Sequence, residues 1–113
     1  MNKKICNVEK TIDRRSFLWR NNREYNERTV QHALDECYDL LKSNGYLFPN
    51  RVYLKLGLPL TKKGQTSGWV YDEESKKDIL WTIWHKNDDE VDVHITFESL
   101  ENILDALPSE EES

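Results

Sequence analysis

Residues Ile79 to Phe97 read ILWTIWHKNDDEVDVHITF, and their alternation decides the fold class. Val91, Val93, Ile95 and Phe97 fall on one side of an extended chain, while Asp92, His94, Thr96 and Glu98 fall on the other. A period of two with one apolar side marks a half-buried strand. The first half is rich in β-branched and aromatic residues, which suit a pleated surface. The polar run Asn87-Asp88-Asp89 between the halves reads as a turn. A three-residue loop there sets Ile83 opposite Val93, Trp81 opposite Ile95 and Ile79 opposite Phe97, so that apolar residues meet on one face. A two-residue turn would set Ile83 opposite His94 and send one apolar set toward water, because a slip of one residue inverts a strand's faces. The three-residue register is the expectation, with Leu80, Thr82 and Trp84 on the outer face beside Thr96, His94 and Asp92.

Upstream, the period changes. Val30, Ala33, Leu34, Cys37, Leu40 and Leu41 follow the spacing of one apolar helix face, predicting a helix over 27–43. Asn26 is placed as its N-cap, and Asn44-Gly45 supplies a left-handed stop. Residues 46–60, YLFPNRVYLKLGLPL, fit either a strand through Val52, Leu54, Leu56 and Leu58 or a short helix. A helix over 50–56 is the preferred reading, with Asn50 as its cap, ended by Gly57 and Pro59. TKKGQTSG (61–68) is a polar loop, and a strand begins near 69–71. After Phe97, the spacing of Leu100, Ile103, Leu104 and Leu107 predicts a helix over 99–107, capped by Ser99 and ended by Pro108. The expected architecture is a single α+β domain over 23–108. Two or three helices pack on a small antiparallel sheet of strands near 69–71, 79–85 and 91–97. Residues 1–22 show no sustained period and read as a basic, flexible arm, whose Phe17, Leu18 and Trp19 could dock on the domain. Residues 109–113 read as an acidic tail.

Composition narrows the classes. With 113 residues, one domain is the expectation. Twelve aromatic residues argue against disorder, which is poor in them. No apolar run approaches the roughly 18 residues of a membrane span, and MNKKICNVEKTIDRRS holds no apolar signal segment. Cys6 and Cys37 fit no zinc or redox spacing and read as free thiols of a reducing cytoplasm. Residues 1–28 carry eight Lys or Arg against four acids, whereas the remainder carries eight against seventeen. An acidic body repels nucleic acid, and the basic arm is the one feature that favours it.

Residues Gly45 to Asp72 carry a more specific pattern. Gly45 and Tyr46 precede a short element with Tyr53 that ends in Leu56-Gly57-Leu58-Pro59, followed by Thr61, Gly64 and then Gly68-Trp69. This arrangement resembles one found in small uncharacterised proteins of bacteria and their phages. The resemblance implies a mobile-element origin and a helix at 50–56, and it brings no activity.

No phosphate loop, HExxH, nucleophile elbow or CxxC is present, so neither a cofactor nor a metal is expected. His85 and His94 fall on opposite faces of the hairpin, which defeats a shared site. His32 lies five residues from Cys37, and a helical ligand pair needs three or four. With no nucleophile–base pair in view, the chain is read as non-enzymatic. Surface is what remains. Trp84, Leu80 and His94 on the outer sheet face, with the acidic loop residues Asp88 and Asp89, are the expected docking surface for a protein partner, since exposed Trp is enriched at hot spots. A phage inhibitor of a host or defence enzyme is one concrete form. The alternatives are a winged-helix DNA-binding regulator, whose recognition helix would have to form in TKKGQTSGW, and an oligomeric virion or assembly component.

Overall fold

The computed structural model describes residues 5–71, 80–100 and 103. In chain order these form β1 (Ile5–Ile12), α1 (Arg23–Asn44), β2 (Tyr46–Leu47), α2 (Pro49–Leu56), β3 (Trp69–Val70), β4 (Trp81–Trp84) and β5 (Val93–Leu100), with a 3-10 turn over Lys63–Gln65. The result is a single α+β domain. One antiparallel sheet has the order β1-β5-β4, and β2 and β3 form a separate two-stranded ribbon.

The hairpin has the anticipated faces but a different register. Trp81 pairs with Phe97, Thr82 with Thr96, Ile83 with Ile95 and Trp84 with His94, two residues away from the expected pairing. A shift of two preserves parity, so Trp81, Val93, Ile95 and Phe97 are buried as anticipated. The turn is also longer than three residues. Residues 85–92 form an irregular connection whose polar groups bond to one another: Lys86 N–H donates to Glu90 Oε1 (2.6 Å) and Asp89 N–H to Asn87 Oδ1 (3.0 Å).

The arm read as flexible corrects more sharply. Ile5–Ile12 is an eight-residue edge strand along β5, with Val8 opposite Phe97, Lys10 opposite Ile95 and Ile12 opposite Val93. Lys10 interrupts the apolar alternation of Cys6, Val8 and Ile12 and so hides the strand in the sequence. Its ammonium lies 4.9 Å from the Tyr53 ring centroid, where the stem can cover apolar surface while the charge meets the ring face. Two other assignments change. Residues 69–70 pair with Tyr46 and Leu47 and do not join the hairpin sheet. Ser99 and Leu100 extend β5, which rules Ser99 out as a helix cap, and the buried Ile103 donates its N–H to Thr66 O at 2.8 Å. The rest of the predicted 99–107 helix lies outside the described residues, as do Ile79, Pro108 and the 109–113 tail.

Helix α1 begins one turn before expectation. Asn22 caps it by accepting from Tyr25 N–H, and Gly45 at φ 84° closes it with an N–H donated to Leu41 O. In α2, Phe48 precedes Pro49 at the first turn, and Gly57 at φ 71° ends the helix. Asn50 is not a cap here. Its side chain clasps the main chain of Thr61 through both its oxygen (2.9 Å) and its nitrogen (2.8 Å). Gly64 sits tightly against that clasp, since a Cβ there would stand 2.1 Å from Asn50 Oδ1.

The core lies between the helices and the inward face of the sheet. Val30, Leu34, Cys37 and Leu41 of α1, with Val52 and Leu56 of α2, are buried against β5. Phe97 is its centre, edge-on to Tyr53 (5.7 Å) and Trp81 (6.3 Å), while Trp69 stands perpendicular to Trp81 at 5.3 Å. Such edge-to-face packing suits the ring quadrupoles. Trp69 also joins ribbon to sheet. Its indole N–H donates to Glu98 O (2.7 Å), while Glu98 N–H donates to Leu80 O (3.0 Å).

Candidate functional site

The outward positions of the sheet follow from the pairings: Asn7, Glu9 and Thr11 on β1, Glu98, Thr96 and His94 on β5, and Thr82 and Trp84 on β4. Asn7, Glu9, Thr82 and Glu98 are exposed, Trp84 is half-buried, and none of these positions holds a lysine or arginine. The face presented is therefore polar and acidic, with one indole.

That indole is held from two sides. Trp84 stacks on the His94 ring (centroids 4.5 Å apart, planes 25° apart), and its N–H donates to Thr96 Oγ1 (3.0 Å). His94 is in turn held at both nitrogens. Nε2 lies 2.7 Å from Glu90 Oε2, where a carboxylate can only accept, and Nδ1 lies 2.9 Å from the Thr11 hydroxyl. Neutral His94 therefore carries its proton on Nε2 and accepts from Thr11. The Thr11–His94–Glu90 line has the connectivity of a hydroxyl–imidazole–carboxylate relay. Here, with the ring sealed under Trp84, it braces three strands' worth of side chains. Glu90 is pulled below the usual carboxylate range, first by the Lys86 N–H and then by His94.

Three side chains from the segment before α1 and from its first turns hold the 85–92 connection. Trp19 Nε1 donates to Asp92 Oδ1 (2.8 Å). Arg23 donates to the carbonyls of Asn87 and Asp88. Asn26, almost fully buried, donates to Val91 O (3.0 Å) and Arg20 O (2.7 Å) and accepts from Arg20 N–H (2.8 Å). His85 is fixed on the same side: its Nδ1 meets Asp92 O at 3.0 Å and its Nε2 faces Glu27 at 3.5 Å.

Against this geometry the five anticipated surface residues separate. Trp84 and His94 come together, but His94 lies beneath the indole and is only 6% exposed. Leu80 is buried with the core at 7% exposure, which corrects its assignment to the outer face. Asp88 and Asp89 are exposed, and Arg23 of α1 holds their loop through the carbonyls of Asn87 and Asp88. Leu18 and Trp19 pack against the core, so the segment does not fold over the outer sheet face. Thr11 and Glu9 also belong to that surface, and the alternation does not reveal them because only strand β1 brings them there, beside Glu98, whose outward parity is legible. Residues 61–68 hold a three-residue 3-10 turn where a winged-helix protein would need a recognition helix. No described helix is long and apolar enough to cross a membrane. Among the described residues, no three His, Cys, Asp or Glu side chains converge as a metal site requires.

The fold and this surface define a small α+β protein whose three-stranded sheet carries helices on one face and offers the other to solvent. Residues 3–107 match the model of a family of unknown function, DUF6353, and the chain belongs to that family. No curated protein and no solved structure matches it.

Proposed function

We propose that this chain is a non-enzymatic binding protein, of phage or prophage origin as the Gly45–Asp72 resemblance implies, that docks its outer sheet face on a basic surface of a partner protein. What supports the reading is Trp84: a braced, half-exposed indole on a sheet face whose charged outward side chains are all acidic. A held aromatic loses little conformational freedom on binding, and aromatic anchors dominate interface energetics. The charge pattern selects a cationic partner and speeds encounter with it. A nucleic-acid-binding surface of a host or defence enzyme has that character, so occlusion of such a surface is the concrete form of the activity. The free thiols Cys6 and Cys37 favour a cytoplasmic place of action.

Affinity capture from the bacterial host identifies the partner, and titration with variants then tests the surface. Trp84→Ala and the double charge reversal Glu9→Lys with Glu98→Lys should each weaken the complex by roughly tenfold or more while the chain stays folded. Undiminished affinity in both folded variants would refute the assignment. So would salt-sensitive binding of the chain to duplex DNA in gel shifts, which is the behaviour of a DNA-binding regulator.

A further inference from the structure

We propose that the solvent side of α2 is a second docking surface, for a segment of another protein that carries apolar side chains interspersed with Asp or Glu. Three large apolar side chains stand in water there: Phe17 (65% exposed), Leu54 (60%) and Leu60 (57%). They are gathered by built features. The Asn50 clasp on Thr61 folds the chain after Gly57 back along the helix side that bears Asn50 and, one turn later, Leu54. Leu60 immediately precedes that clasp. At the other end, Ser16 Oγ donates to Leu56 O (2.6 Å) and the Phe17 ring lies so close to Gly57 that a Cβ there would stand 2.9 Å from it. Gly57 also needs its left-handed φ of 71°, so glycine is required twice over. The three side chains are thus set on fixed backbone, and clustered exposed apolar groups of this kind mark interaction sites.

Charge selects the occupant. Arg51 lies one turn before Leu54, and Lys62 and Lys63 directly follow the clasped Thr61. All three are exposed, and among the described residues none has a carboxylate partner. On the neighbouring side of the same helix Lys55 is paired with Glu36 (2.5 Å). In a protein of net charge −5, three cations without a carboxylate partner among the described residues, set beside exposed apolar side chains, are complementary to an acidic amphipathic segment. This surface lies on the helical side of the domain and the Trp84 face on the other, so the two would engage different partners.

The test is selection of a random-peptide display library on the immobilised full chain, followed by titration of a synthesised winner. The expected winners are net-negative peptides with two or more Leu, Ile, Phe or Met residues. Binding should weaken roughly tenfold in each of Leu54→Ser, Leu60→Ser and Arg51→Glu, fall as salt rises, and be unchanged in Trp84→Ala. Because the three positions are exposed, circular dichroism should show all variants folded. Enrichment of neutral or basic peptides, or unchanged affinity in those variants, would overturn the proposal. Two other results would overturn it by naming another occupant. One is self-association of the full chain by light scattering that Leu54→Ser abolishes; the other is binding to anionic lipid vesicles that Leu54→Ser abolishes.

Discussion

Replacing Asn26 by alanine distinguishes a buried clamp from an ordinary helix cap. By sequence Asn26 is the N-cap of α1, and loss of a cap costs about 1 kcal/mol. In the fold Asn22 is the cap, and Asn26 sits inside the helix with its amide bonded to Arg20 N–H, Arg20 O and Val91 O at 2.7–3.0 Å. Alanine there leaves one donor and two acceptors without partners in a site about 1% exposed. At about 1 kcal/mol of net contribution per hydrogen bond, the loss is about 3 kcal/mol, and more if water cannot reach the orphaned groups. For a domain of this size that corresponds to a fall of about 12 °C in Tm, against about 4 °C for Asn22→Ala. Urea unfolding followed by far-ultraviolet circular dichroism gives the free energies. Fluorescence should report the local effect as well, because Trp19 is bonded to Asp92 in the connection that Asn26 holds. If Asn26→Ala costs no more than Asn22→Ala, the clamp does not contribute as argued.

Trp81→Ala should cost about 3–5 kcal/mol, a large share of a typical domain's stability. Trp81→Phe should cost far less, since the buried indole N–H has no acceptor among the described residues; equal Tm losses would contradict this packing. For Glu90, the folded carboxyl lies below its ordinary value near 4.5. Its contribution is therefore complete above that value and is lost as pH falls through the lowered one. Urea midpoints of wild type and Glu90→Gln should thus converge as pH is lowered from about 6 to about 3, and parallel curves would remove Glu90 from the brace. The Cys37 thiol is pushed up to about 11 by burial. In a Cys6→Ser background it should resist a thiol reagent near pH 8 until urea unfolds the chain; rapid labelling of native protein would show that α1 does not seal it.

Local patterns survived where burial repeats at a fixed period. The face of α1 is the set of positions three and four apart that ends at Leu41, with Gly45 taking the left-handed stop. Residues 46–60 fit a strand as well as the short helix that forms, and there only the Gly57 stop was plain, whereas the parity of β4 and β5 was readable because a period of two assigns each residue to one face regardless of register. Register itself was not. Choosing between pairings two residues apart required the hydrogen bonds of residues 85–92, whose partners Trp19, Arg23 and Asn26 lie far away in the chain.

The same division holds for the surface. Trp84 could be placed on the outer face from alternation alone. Its support could not, since Thr11, His94 and Glu90 meet only after β1 pairs with β5. Leu80 shares the outward parity of Trp84 yet is buried, because enclosure depends on what packs beyond the end of a strand. Ser99 and Leu100 were drawn into β5 although helical spacing follows them: an eight-residue ladder with β1 supplies hydrogen bonds that a local helix start would have to replace. Periodicity told which side of each element is apolar. Which elements meet depends on contacts between distant residues, and those formed only when the whole chain was packed.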